Sequence, residues 1–502
     1  MKKFAVVLLL ALPWLVHGET VTLSKDALKD KIKGAWAAQV IGVTYGFPVE
    51  FKYMSTMIPD NHRLDWHANS IADLFNSEPG AYDDIYVDLT FVNVIAEKGL
   101  DATAQDYGDA FAHAAYPLWF ANQVARNNLL NGIPATESGH WQNNPAADDI
   151  DFQIESDFIG IMTPGMPNTA AAYADKVGHI MNYGDGYYGG LFVASMYSQA
   201  LVQNDISAIV DAALKMVPKE SLFYRIIRDV VTEYADNKTD WRQAWFAVHR
   251  KWAHLDMDPK GIQGPFNIDA KINAAWVVLA LLYGEGDFAK TMDIATRAGD
   301  DADCNPATAL GILGAISGYQ AISPKWTNGL KAIADKPFPY TTLTLEQVYK
   351  LSYEHALANI GRNGGKVEDS QVSIAVQAPV TQPLEQSFAD LKPADKHRYD
   401  PFFLADYQGG ITMPDDFLYE FEGRGIVVIA DAFGNEGDVI EAVIQIDDNP
   451  PKTVTAPVNY LTRRFFLNWD LTLPAGQHKM KISLNNHNSE AYLQLNSIAV
   501  YQ

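Results

Sequence analysis

Apolar residues recur at helical spacing through the first two-thirds of the chain. Ile85, Leu89, Val92 and Ala96 fall at i, i+4, i+7 and i+11, one face of a helix. Ile268, Ile272, Ala275, Val278 and Leu282 mark a second helix over 267–282. A third, over 305–319, is rich in small residues (Ala307, Ala309, Gly311, Gly314, Ala315), which predicts close contact with another helix. Further helices are expected near 102–125, 186–217, 220–236, 239–253 and 344–360. Strand alternation is scarce up to about residue 361, so this region reads as a mostly α-helical domain. From Lys366 onward the period changes to two. Val372, Ile374 and Val376 alternate with smaller or polar neighbours, and short strands are expected at 425–429, 439–446, 465–467, 479–482 and 492–501. Turns rich in Pro, Gly, Asn and Asp separate them, such as Asp447-Asp-Asn-Pro-Pro451. Short strands at this spacing predict an antiparallel β-sandwich.

The first residues carry an address. Lys2 and Lys3 precede an apolar run from Phe4 to Val16, followed by His17 and Gly18. This is the layout of a signal peptide cleaved after Gly18, and the run is short for a membrane span. The expected organisation is a signal peptide over 1–18, a helical catalytic domain over 19–365 and a β-sandwich over 366–502. The chain is then secreted or periplasmic, with no membrane anchor after cleavage.

Composition narrows the function classes. The 502 residues carry 38 Lys+Arg against 61 Asp+Glu, a formal net charge of −23. Nucleic-acid phosphates would be repelled, and no basic run offers a local exception. The one cysteine, Cys304, excludes a disulfide framework within the chain and a Cys-rich zinc site. No HExxH, GxSxG or GxxxxGK[ST] motif is present.

Two acidic clusters remain, each at a helix start. The first is Tyr82-Asp83-Asp84-Ile-Tyr-Val-Asp88. The second is Gly299-Asp300-Asp301-Ala-Asp303-Cys304-Asn305-Pro306. Either alone reads as an N-cap, where Asp satisfies free amide groups and the helix dipole. Two such clusters in one helical domain point instead to a shared site, since carboxylates that converge can hold a hard divalent cation.

With these residues in place, the chain resembles the ADP-ribosylglycohydrolases. The segment Lys31 to Glu50, closing on Gly42-Val-Thr-Tyr-Gly46-Phe-Pro48-Val-Glu50, looks like their opening helix and turn. Asp83-Asp84 resembles their first metal motif and Gly299-Asp-Asp301-Ala-Asp303 their second, so the resemblance covers about 24–320. It implies a compact all-α bundle, an Mg²⁺ site of one or two ions held by Asp83, Asp84, Asp301 and Asp303, and hydrolysis of an N- or O-glycosidic bond to a ribose-like sugar. Glu50, Asp84 and Asp301 become the candidate catalytic groups. Tyr82 and Cys304 stand where the family has hydroxyl residues, which weakens the ion site and leaves a metal-free glycosidase open. Cys304 is expected to be a small residue in the site wall.

A third region, 137–190, combines Gly-permitted turns with aromatic and polar groups. His140, Trp141, Asp157, His179, Asn182, Asp185 and Tyr187 are its candidate substrate contacts, because rings stack on sugar faces while carboxylates and amides bond hydroxyls. The whole pattern looks like a secreted bacterial branch acting on carbohydrate. The rival readings are an ADP-ribosyl-protein hydrolase, which export disfavours, and a non-catalytic carbohydrate-binding protein on a degenerate fold, which the four retained carboxylates disfavour. The sandwich carries no acidic constellation of its own. Tyr460, Arg463, Arg464 and Trp469 are its candidates for sugar contact.

Overall fold

A computed structural model describes residues 19–399, 410–488 and 490–502. The expected signal peptide lies outside the described residues. Among those described, no helix is long and apolar enough to cross a membrane.

The helical body is organised around two helices, Lys25–Gly46 and Cys304–Ser317. They run antiparallel, with backbones almost touching at glycines. A Cβ on Gly34 would come within 2.5 Å of the Gly314 carbonyl oxygen, and one on Gly46 within 1.9 Å of the Ala302 carbonyl oxygen. The predicted small-residue contact is therefore this one. Lys31 fastens its far end. Its ammonium donates to the carbonyls of Ala315 (2.8 Å) and Ile316 (2.6 Å) at the C-terminus of the partner helix. The helix Ala270–Gly284 is buried on every face, as is nearly all of Gly184–Ala200, so the body closes around them.

Most expected helices are found, with two breaks. The stretch near 102–125 splits into Ala104–Ala112 and Phe120–Leu130. Pro117 lies in the gap, and the residue before a proline is pushed out of the helical region. The stretch 186–217 splits after Ala200, and Asp205 caps the next helix by accepting from Ala208 N–H.

The sandwich is two antiparallel sheets. In one, Phe466–Asp470, Gly425–Phe433, Tyr492–Tyr501 and Pro393–Arg398 lie side by side, with Ile411–Thr412 also pairing to Tyr492–Tyr501. In the other the order is Asp416–Gly423, Gly476–Asn485, Val439–Ile446 and Lys452–Pro457. The strands at 393–398, 416–423 and 452–457 were not expected. Each is largely exposed or charged along its length, which hides the alternation. The strand expected around Val372 exists but joins the helical body instead. Gln371–Ala375 pairs with Thr20–Ser24 and Lys366–Val367, and Val372 and Ile374 are buried in the helical core. The sandwich sheets begin at Pro393.

The sandwich lies against the helical body through an apolar seam that includes Phe120, Phe388, Val427, Phe465, Phe466 and Tyr501. Trp469 belongs to this seam. Its indole N–H donates to the Gln142 carbonyl at 2.9 Å.

The helix contact makes a direct prediction. Gly314→Ala should cost about 1–3 kcal/mol, because the new methyl meets backbone that cannot yield. Gly361→Ala, in a helix with open space around it, should be neutral or slightly stabilising. Thermal or denaturant melts of the two variants check this.

Candidate active site

Antiparallel packing brings the C-terminal end of the first helix to the N-terminal end of the small-residue helix. After Gly46 the chain makes a 3₁₀ turn, Phe47–Val49, which ends at Glu50. Facing it is the turn that carries the second acidic cluster. Gly299 and Asp300 both adopt positive φ, +80° and +58°. A side chain at Gly299 would strike the Thr56 carbonyl, so glycine is required there. Asp300 is the clamp of this turn. Its carboxylate accepts from the Trp276 indole (2.7 Å) and Ser55 N–H (2.5 Å). Asn273 holds the next step, accepting from Asp301 N–H (3.1 Å) and from the Asn305 amide (2.8 Å). Asp301 and Asp303 are thereby turned inward together.

The first cluster arrives from the other side. A 3₁₀ turn, Pro79–Tyr82, leads into the helix Asp83–Lys98, and Asp83 accepts from Asp84 N–H at 3.2 Å. The two clusters meet at Cys304. One ligand atom each from Asp83, Asp84 and Cys304 lie within 4.8 Å of one another, and so do those from Asp301, Asp303 and Cys304. Both helix starts thus face one point, which simple capping would not require.

A cavity of about 310 Å³ opens over this point. Glu50, Asp83, Asp301, Asp303 and Cys304 line it, with Glu78, Asn122 and Asp151. Phe47, Phe51, Trp119, Phe120, Ile150 and Ile154 supply apolar wall. Asp151 accepts from Asn122 N–H at 2.6 Å, which fixes that side of the wall.

Burial, reinforced by neighbouring carboxylates, raises the acids of this site. Asp83 is pushed up to about 7 and Asp301 to about 6. Glu50, Asp84 and Asp303 are held well above the carboxylate range by burial and by each other's charge. The same burial and charge push the Cys304 thiol up, which suits a wall residue and not a nucleophile. Tyr82 is buried with its hydroxyl 2.8 Å from that of Thr44, and is absent from the cavity lining.

The donor set suits a hard divalent cation. Both carboxylate oxygens of Asp84 and one of Asp301 are buried with no hydrogen-bond partner. Such oxygens are costly to bury unless something positive meets them. Oxygen-rich sites of this kind hold Mg²⁺, Ca²⁺ or Mn²⁺, whereas Cys304 is a soft donor and adds little to them.

The seven residues expected to contact substrate are not among those lining the cavity. Each is used elsewhere. Asp157 accepts from the buried Tyr197 hydroxyl at 2.8 Å. His179 is mostly covered, which opposes its charge, but Asp175 and Glu385 raise it to about 10, and it stacks on Tyr187 at 4.4 Å. Tyr187 is itself sandwiched against Phe152. Asn182 accepts from Phe152 N–H and donates to the carbonyls of Ala147 and Asp149. Asp185 accepts from Phe223 N–H. His140 packs on Tyr183, and Trp141 packs on Phe388 in the domain seam. Apart from Ile150, Asp151 and Ile154, which line the cavity, the run 137–190 builds the support behind the cavity and the seam.

Comparison with known proteins identifies a family for the helical body. The ADP-ribosylglycohydrolase family profile matches residues 24–357. The chain belongs to the ADP-ribosylglycohydrolase family. The matched span contains both acidic clusters, Glu50 and the whole helical frame that presents them. No curated protein matches the chain. Among solved structures it is similar to one described as an ADP-ribosylglycohydrolase-related protein complex, at 17% identity over 66% of this chain and 99% of that one, with a TM-score of 0.44. It is also similar to one described as a family GH115 4-O-methyl-α-glucuronidase, BtGH115A, with specificity for decorated arabinogalactans. That match has 12% identity over 63% of this chain and 40% of that one, with a TM-score of 0.20.

The raised acids predict a particular pH dependence. In chelator-treated protein, Asp301 and Asp83 keep protons up to about 6 and 7, whereas the unfolded chain releases them near about 4. The folded state therefore holds the extra protons in this window, and stability falls as pH rises from about 4 to about 7. A bound divalent ion competes with those protons. The thermal midpoint gained on adding MgCl₂ or CaCl₂ should grow from pH 5 to pH 8, and Asp84→Asn should shrink that gain.

Proposed function

We propose that the chain is a glycoside hydrolase that cleaves an N- or O-glycosidic bond of a ribose-like or other neutral sugar at this acidic cavity. The observation that carries the reading is the meeting of Asp83, Asp84, Asp301 and Asp303 around Cys304, beside Glu50, with all but Asp84 lining a cavity sized for one sugar. The family is a hydrolase family, which supports the reaction class.

Asp83, Asp84, Asp301 and Asp303 would hold one or two hard divalent ions, with Mg²⁺ as the favoured occupant. Such an ion would supply positive charge that fixes sugar hydroxyls and offsets the crowding of carboxylates. The protein's own groups do the rest. Glu50 is half-buried on the cavity wall, and burial with its acidic neighbours raises its carboxyl well above the usual carboxylate range. It is suited to donate a proton to the leaving atom of the glycosidic bond. Asp301 presents a carboxylate to the cavity that can accept from sugar hydroxyls or orient the attacking water, while Asp84 lies behind the lining beside Asp83 and Cys304. The anionic wall favours the positive charge that develops at the anomeric carbon. Phe47, Trp119, Phe120 and Ile154 keep bulk water from the reacting bond.

A panel of aryl furanosides, aryl pyranosides and ADP-ribosylated substrates, each with MgCl₂ or with EDTA, tests the proposal. The expected result is turnover of one aryl glycoside that falls about 10²–10⁴-fold in Glu50→Gln and in Asp301→Asn. Turnover confined to ADP-ribosylated substrates would move the function to that branch. Binding of sugar without turnover would make it a carbohydrate-binding protein. Full activity in EDTA would remove the ion and leave the aspartates acting directly.

We also propose that the chain is exported. Lys2, Lys3 and the apolar run from Phe4 to Val16 support this. Sequencing of the mature protein should find Glu19 as its first residue, and a chain retaining Met1 would oppose export.

A further inference from the structure

We propose that Tyr460, carried by the sandwich, is the stacking platform of a second sugar subsite at the mouth of the cavity. The substrate is then a glycan of at least two residues, with one sugar in the acidic cavity and the next on Tyr460. This rests on the glycosidase reading of the cavity and extends it to the substrate's size.

The cavity, at about 310 Å³, is at the small end of ligand pockets, which run from roughly 300 to 1,000 Å³. It accommodates one sugar, so the remainder of any glycan must lie across the rim. One stretch of the cavity wall is Pro117-Leu118-Trp119-Phe120, in which Trp119 is partly exposed. The sandwich loop 459–465 is bound to the chain immediately around it. Arg126 donates to the Leu461 carbonyl, Asn127 to the Arg463 carbonyl, and Arg463 to the Leu118 carbonyl. The Phe465 ring stacks on Phe120 at 5.7 Å. The Arg463 guanidinium lies 5.8 Å from the Trp119 ring and 3.6 Å from the Tyr460 ring. Tyr460 is thus one guanidinium away from a residue of the cavity wall.

Arg463 covers one face of the Tyr460 ring, yet Tyr460 is 56% exposed, so its other face is open. A large ring held from behind and open in front is what a sugar's C–H face stacks on. Glu50, Glu78, Asp83, Asp151, Asp301 and Asp303 line the adjoining cavity, where their oxygens can meet the hydroxyls of the first sugar.

The test compares an aryl monoglycoside with a trisaccharide bearing the same terminal sugar. In Tyr460→Ala the ratio of kcat/KM for trisaccharide over aryl glycoside should fall about 5–10-fold, and Tyr460→Phe should restore it. An unchanged ratio, whether both rates fall together or neither moves, overturns the subsite while leaving the glycosidase reading intact. Failure of that reading has a different signature: no turnover of any glycoside by the wild-type protein. Calorimetric titration with xylotriose, arabinotriose and mannotriose, and separately with ADP-ribose, then decides. Trisaccharide binding weakened by Tyr460→Ala and kept in Tyr460→Phe supports the subsite. Absence of trisaccharide binding, or Tyr460-dependent binding of ADP-ribose alone, overturns it.

Discussion

The near-contact of two helix backbones sets the geometry of everything else. Gly34 meets Gly314, Gly42 meets Ala307 and Gly46 meets Ala302, with no room for larger side chains. Leu or Val at these places would separate the helices by the width of a side chain. The turn at Glu50 would then move away from Asp301 and Asp303, and the cavity would lose one wall. Small residues along this seam exchange apolar burial for position. The cost is recovered by the large apolar helices around them, such as Ala270–Gly284, which is buried throughout.

Position matters because the site works against its own electrostatics. Several carboxylates are buried side by side, and each raises the others. A pliable frame would let them swing apart into water. Here the turn that carries Asp301 and Asp303 is tied from behind. Asp300 is pinned by Trp276 and Ser55, and Asn273 holds the backbone of Asp301 and the amide of Asn305. The groups that enforce the crowding are neutral donors and acceptors, so they fix the acids in place without neutralising them. The oxygens left over, on Asp84 and Asp301, are those that point at nothing else in the protein.

The acidic clusters were legible in the sequence because their chemistry is local. Two carboxylates in a helix-start pattern announce themselves, and Gly299 marks the turn that aims the second pair. Glu50 was legible through the turn that ends the first helix. The apolar and amide wall was not. Trp119 and Phe120 sit after a proline in a stretch that reads as helix, and Phe120 has positive φ, which no local pattern signals for an aromatic residue. Asp151 stands in a run of acids in which Asp149, Asp151, Glu155 and Asp157 look alike. Only tertiary packing separates the one that lines the cavity from those that cap, brace or lie beneath it. The same ambiguity made His179, Asn182 and Tyr187 look like sugar contacts. Amides and rings that satisfy a buried support have the same composition as those that meet a ligand. The strand at Gln371–Ala375 was legible as a strand, but its partner lies at the other end of the helical body, where periodicity carries no information about pairing.

That pairing has a consequence for how the protein is made. Thr22 and Ser373 are neighbours across the ladder although 351 positions separate them along the chain. A contact with so long a loop is slow to form, because the loop must close before any bond rewards it. The first strand therefore waits, unpaired, until almost the whole helical body has been synthesised. Gln371–Ala375 seats Val372 and Ile374 in the core and pairs with Thr20–Ser24. The small sheet thus ties the strand before the first helix to the strand after the last one.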